Sequence, residues 1–188
     1  MELIDRIREA AFEEFMSKGP RFTMEDLARR LGISKKTLYE CVRDKEELFE
    51  MFVDEAFASI KGQEREIAGN ASLDPIARFV QVVSIMPVFG RTFDYDKVRE
   101  LEDLYPAIRK RIENHIETDW ESTLAIFDQA VRQGLLRDVD RWLVREVLFS
   151  AMEQMLHDDF LAKTGRNYQE TMHEIVSLVI EGLRIKRQ

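Results

Sequence analysis

The sequence predicts an all-α fold of about nine helices: an N-terminal three-helix helix-turn-helix unit followed by a larger helical domain. Three observations carry this reading. Apolar residues recur at helix-face spacing from Ile4 to Leu183, no stretch alternates as a strand does, and cap and stop residues cut the chain into helix-length pieces. With 188 residues, 45% of them hydrophobic, the chain is long enough to bury a core and fits one or two compact domains.

Residues 2 to 18 form the first helix, with Ile4, Ile7, Ala11 and Phe15 on one stripe and Lys18-Gly19-Pro20 as its stop. Met24, Leu27, Ala28 and Leu31 make the buried face of a second helix that Thr23 caps. Gly32 closes it, because glycine enters the left-handed conformation without Cβ strain, and Ile33 folds back onto the apolar face. Ser34 caps a third helix, Lys35 to about Val42. Side chains set ~100° apart bury Leu38, Cys41 and Val42 on it and turn Lys36, Tyr39, Glu40 and Arg43 outward, with Lys35 and Thr37 on the flanks. A cationic, hydroxyl-bearing and aromatic face on a short helix after a glycine turn suits a DNA groove, as in a helix-turn-helix. Asp44 and Glu47 then start the next helix as a capping-box-like pair. Lys45 thereby stands at a helix N-terminus, where its charge and the free backbone N–H groups favour a phosphate oxygen.

A long helix runs from Lys45 to about Ala68. Asp74-Pro75 opens a nearly all-apolar helix from Ile76 to Val88, stopped by Pro87 and Gly90. A short helix lies between Phe93 and Tyr105. Pro106 opens a long amphipathic helix over 106–133 through Ile108, Ile112, Ile116, Trp120, Leu124 and Phe127, ended by Gly134. The last two helices, Arg141 to about Ala162 and Tyr168 to about Arg187, carry apolar arcs wider than one core contact requires. They predict a homodimer through a four-helix bundle, with Leu148, Met152, Met155, Ile175, Val176, Val179 and Leu183 at the interface.

The net charge of −8 is unevenly spread. Residues 18–45 hold eight basic and four acidic side chains, a local +4, and residues 49–188 hold 18 basic and 25 acidic, a local −7. A basic head on an acidic body binds DNA in one orientation while the body discourages non-specific association. The single cysteine, Cys41, excludes an internal disulfide and reads as a small core residue. No apolar run reaches the ~18 residues of a membrane span and the N-terminus lacks a basic leader, so a soluble cytoplasmic protein without a membrane partner is expected. His115, His157 and His173 stand on separate helices without metal-ligand spacing, and there is no nucleophile elbow, phosphate-cradling loop or dinucleotide fingerprint. Neither metal, cofactor nor catalysis is expected.

Gly32-Ile33-Ser34-Lys35-Lys36-Thr37-Leu38-Tyr39, followed by Lys45-Glu46-Glu47-Leu48, resembles the signature of the TetR family of bacterial regulators, and the resemblance covers Ile4 to Phe52. It implies a DNA-binding domain over 1–48 and a helical ligand-binding and dimerisation domain over 49–188. It also implies double-stranded DNA as partner, a palindromic operator read by a homodimer, with Thr23, Ser34, Lys35, Lys36, Thr37, Tyr39 and Lys45 in contact with it. Members of the family commonly hold a small apolar or aromatic effector among the middle helices. The expected pocket here is Phe79, Met86, Phe89, Tyr95, Tyr105, His115, Trp120, Phe127, Met152 and Met155. The chain departs from type at Glu40-Cys41-Val42, where most members carry further aromatic or basic residues. Glu40 either accepts from cytosine N4, repels the phosphates of competing sequences, or pairs with Lys36 or Arg43 on its own helix. The expected function is a repressor released from its operator by an effector. The alternative is a helical DNA-organising or protein-interaction dimer with no effector.

Overall fold

Local capping chemistry sets where the helices begin. In the computed structural model, which describes residues 2–85, 95–118, 120–157 and 160–185, Thr23, Ser34, Asp44, Asp74 and Asn167 each accept a backbone N–H three residues on, at 2.8–3.1 Å. The elements among these residues are α1 (Leu3–Lys18), a 3-10 turn (Gly19–Arg21), α2 (Met24–Leu31), α3 (Lys35–Cys41), α4 (Lys45–Gly69) and α5 (Pro75–Val83). They continue as α6 (Tyr95–Leu104), α7 (Pro106–Glu117), α8 (Glu121–Arg132), α9 (Arg141–His157), α10 (Phe160–Thr164) and α11 (Tyr168–Leu183). The all-α class is as expected. The single helix expected over 106–133 is instead two, α7 and α8. Thr118, a weak helix former, stands at the break, and buried Trp120 occupies the cap of α8, its carbonyl accepting from Leu124 N–H at 2.8 Å. The stop expected at Pro87 and Gly90 lies outside the described residues.

Packing divides the chain into two units that are not contiguous in sequence, unlike the boundary expected after residue 48. The first comprises Met1–Ala58 with Arg91–Ile116, the second Ser59–Gly90 with Glu117–Gln188.

In the first unit Phe49 is fully buried among four rings, Phe15 at 5.9 Å, Phe22 at 5.8 Å, Phe52 at 6.1 Å and Tyr105 at 4.9 Å between centroids. These edge-on and T-shaped contacts tie together α1, the loop after the 3-10 turn, α4 and the α6–α7 junction. Ile7, Ala11, Leu27, Leu38, Leu48, Leu101 and Ile108 complete the core. α6 is anchored on the 3-10 turn by the Arg21–Glu100 ion pair, and Lys97 Nζ donates to Met16 O at 2.6 Å. Glu14 is a buried carboxylate in α1. Lys18 lies 2.7 Å from it and Arg30 Nε of α2 donates to it at 2.6 Å, and these two cations hold its carboxyl below the ordinary range.

In the second unit α5 packs along α8, with Phe79 and Phe127 fully buried 5.6 Å apart. Arg78 ties the end of α4 to α8, its Nη1 donating to Ala68 O and its Nη2 to Gln129 Oε1, both at 3.0 Å. Leu148 of α9 and Met172, Val176 and Ile180 of α11 are buried here. An antiparallel bridge, Leu136 to Arg184, fastens the residues after α11 to the turn after α8, with Arg137 N–H donating to Leu183 O at 2.9 Å.

Because the pKa of folded Glu14 lies below its unfolded value near 4.5, its contribution to stability is complete above that pH and disappears as pH falls through the depressed folded value. Glu14→Gln therefore lowers the thermal midpoint at pH 7. The gap between variant and parent closes on acidification below about pH 4, measured by thermal melts across a pH series.

Candidate nucleic-acid interface

The α2–turn–α3 pair is built almost entirely by local bonds. Thr23 and Asp26 form a reciprocal capping box: Asp26 N–H donates to Thr23 Oγ1 at 3.1 Å and Thr23 N–H to Asp26 Oδ2 at 3.0 Å. Gly32 sits at φ 66°, ψ 30°, and Ile33 N–H reaches back to Ala28 O at 3.1 Å, closing α2 in the left-handed manner only glycine adopts cheaply. Thr37 N–H donates to Ser34 Oγ at 3.0 Å and starts α3. Leu38 is the only residue of α3 that is fully withdrawn, and Val42, extended after the helix, takes the next inward position. Lys36, Tyr39, Glu40 and Arg43 are therefore exposed, as the helical spacing predicts, Tyr39 at 51%. Thr23, Ser34 and Lys35 are exposed beside them and Thr37 is half-buried. Cys41 departs from expectation: α3 ends on it, and it is exposed rather than core.

The cations of this surface differ in how far they are committed. Lys36 is 87% exposed, and its carboxylate neighbour among the described residues, Glu40, stands at 3.9 Å. Lys35 Nζ donates to Glu25 Oε2 of α2 at 2.8 Å, and each shifts the other toward its charged form, Lys35 upward and Glu25 downward. Arg43 Nε donates to Asp44 at 2.9 Å. Lys45 corrects the expectation of a free phosphate-binding ammonium. Its Nζ donates to Pro20 O at 2.8 Å and Phe22 O at 2.9 Å and lies over the rings of Phe22, Phe49 and Tyr105 at 5.2–5.8 Å. Those carbonyls stand more than twenty residues away in sequence, so helix-terminus logic alone points the side chain the wrong way.

The ring and methionine cluster expected to form a pocket is dispersed. Phe79, Phe127, Trp120 and Met155 are buried side chains of the second unit's core, with Met152 half-buried. Tyr105 and His115 belong to the first unit, Tyr105 on Phe49 and His115 stacked on Phe57 at 4.4 Å with Asp54 at 3.4 Å. Asp54 also receives two bonds from Arg111 at 2.7 Å, an α4–α7 link that no local pattern announces. Met86, Phe89 and the Tyr95 side chain lie outside the described residues. Among the described residues the second unit has an open groove of about 460 Å³, lined by Gln63, Ile67, Gln81, Ser84, Ile85 and His173 with Gln169, Glu170 and Glu174. Of the side chains expected at the interface, Leu148, Met155 and Val176 are buried within the protomer and Met152, Ile175, Val179 and Leu183 are half-buried, while the exposed large hydrophobics of α9 and α11 among the described residues are Trp142, Leu143, Val147 and Leu178. The arcs are wide because one side serves the core and the other does not. Among the described residues no helix is long and apolar enough to cross a membrane, and no group of three or more His, Cys, Asp or Glu side chains is arranged to hold a metal.

An exposed helix bearing Lys36, Thr37, Tyr39 and Glu40, fixed by a glycine turn on a closed aromatic core, defines a helix-turn-helix DNA-binding transcriptional regulator. Residues 7–51 match the family described as bacterial regulatory proteins, tetR family. Over 178 residues, 95% of this chain and 94% of its relative, the sequence is 26% identical to the uncharacterized HTH-type transcriptional regulator YvaF of Bacillus subtilis (strain 168). The fold is shared with a TetR/AcrR-family regulator of Thermobifida fusca, at TM-score 0.72 and 22% identity, covering 97% of this chain and 98% of that one. It is shared too with the TetR-family regulator PfmR of Thermus thermophilus, at TM-score 0.64 and 23% identity over the whole of both chains. Residues 7–51 thus carry a tetR-family regulatory domain, and the chain as a whole shares the fold of these two solved regulators.

Removing the Lys45 ammonium strands two part-buried carbonyls that a charged donor now satisfies. Lys45→Met is expected to destabilise the protein by roughly 1.5–3 kcal/mol, seen as a lower midpoint in chemical denaturation.

Proposed function

We propose that the protein is a repressor that grips a palindromic operator as a homodimer and leaves it when a small molecule binds the second unit. The observation that carries this reading is the exposed face of α3, where Lys36, Tyr39 and Glu40 are held at the surface by a helix that gives only Leu38 to the core. Such a helix is rigidly placed yet free to be read by DNA. Phosphate contacts come from Lys35, the Ser34 and Thr23 hydroxyls and the backbone around them, and base edges are read by Lys36, Thr37, Tyr39 and Glu40.

Pairing of two copies rests on the α9 and α11 faces bearing Leu143, Val147 and Leu178, which are 62%, 47% and 74% exposed. Apolar side chains at that exposure on neighbouring helices are the ordinary material of a two-fold interface. A dimer then offers two copies of α3 to successive major grooves, about 34 Å apart. The effector sits in the groove of the second unit. Its glutamine, serine, glutamate and histidine lining, with Ile67 and Ile85, suits a small molecule that carries hydrogen-bonding groups on an apolar frame rather than a purely apolar one.

Sequencing the genomic fragments retained by the purified protein yields a palindrome if the reading holds, and Lys36→Ala and Tyr39→Ala lose that selection while keeping the parent's melting midpoint. Retention of the same fragments by both variants would overturn the assignment of α3. Leu178→Glu is expected to halve the mass in solution to the 22.2 kDa of one chain and to abolish operator binding. A dimer undisturbed by that change would place the interface elsewhere.

A further inference from the structure

The bond between Lys35 and Glu25 spans the two helices of the reading head. Lys35 is the first residue of α3 and Glu25 the second of α2, their charged ends 2.8 Å apart, both more than half exposed. An ammonium so placed has two possible acceptors when DNA arrives, its own carboxylate and a phosphate. The same situation recurs around it. Arg29 lies within 3.7 Å of Glu25 and Asp26, and Arg43 holds Asp44. The local +4 of the sequence is thus not a +4 of free cations. We infer that Glu25 is a specificity-determining residue: an internal counter-ion that competes with DNA phosphate for Lys35 and holds down affinity for duplex of arbitrary sequence.

The physical argument is counter-ion exchange. A lysine that already faces a carboxylate exchanges one anion for another when it meets phosphate, so it releases fewer salt cations from DNA and adds little to non-specific affinity. On a fitted operator the base contacts of α3 supply the additional free energy needed to make the exchange, whereas on a random duplex nothing does. Glu25 thereby widens the gap between right and wrong sequences by weakening the wrong ones. This inference rests on the DNA-reading role proposed for α3.

The test uses the full-length protein, a mixed-sequence duplex and fluorescence anisotropy over a potassium chloride series. Glu25→Gln is expected to bind that duplex several-fold more tightly at low salt. Its log Kd against log salt should be steeper than the parent's by about 0.9, so the gain shrinks roughly 3.5-fold between about 50 and 200 mM salt. In the Glu25→Gln, Lys35→Met double variant the gain is expected to vanish, and Lys35→Met alone should cost less in the parent than in the Glu25→Gln background. Melting midpoints taken alongside establish that every variant is folded, and Glu25→Ala serves as a second neutral replacement. Unchanged or weaker binding by both folded Glu25 variants overturns the inference. So does a gain that survives in the double variant, which would make Glu25 a simple repeller of phosphate with no claim on Lys35. Absence of any DNA binding by the parent at the lowest salt is a different failure, since it removes the DNA-reading role itself.

Discussion

The first unit depends on the burial of Phe49. Four aromatic rings converge on it from α1, the loop before α2, α4 and the α6–α7 junction, and no water reaches it. One turn before it on the same helix, the Lys45 ammonium lies over Phe49 itself and two of those rings, Phe22 and Tyr105, and donates to two main-chain carbonyls. Position and orientation of the α2–α3 pair follow from this cluster and from Leu27 and Leu38 beneath it. Since α3 itself gives the core a single side chain, its outer face is released from any structural duty.

What the sequence shows well is everything decided within about four residues. The Thr23 and Asp26 box, the Gly32 turn, the Ser34 cap, Asp74-Pro75 and Asn167 are visible as residue types at fixed offsets, and the exposed set Lys36, Tyr39, Glu40 and Arg43 follows from helical spacing alone. What it hides is decided across the fold. Lys45 turns inward because carbonyls more than twenty residues upstream accept from it, and the buried Glu14 carboxylate is met by Arg30 from another helix. Composition also misleads where packing decides. Phe79, Phe127 and Trp120 read as a pocket and are core, while the apolar surface lies on Leu143, Val147 and Leu178, one helical face away from the buried Leu148 and Val176. Period-3.6 patterning identifies which positions are apolar, but on a helix apolar on two sides it does not say which side faces in.

Charge is organised on the same principle of close internal pairing. Lys18, Arg21, Arg29, Arg30, Lys35 and Arg43 each have a carboxylate partner within the first unit, and Lys36 has a distant one. Exposed pairs of this kind add little to stability. Their effect falls on the potential that incoming DNA meets, which is far more neutral than a count of lysines and arginines suggests.

The discontinuity of the first unit has a bearing on how the chain matures. Arg21 waits for Glu100, 79 residues later, and the Met16 carbonyl for Lys97, 81 residues later. During synthesis at roughly 5–20 residues per second, the four N-terminal helices leave the ribosome seconds before the segment that covers Phe49 exists. Until then that ring cluster is short of Tyr105.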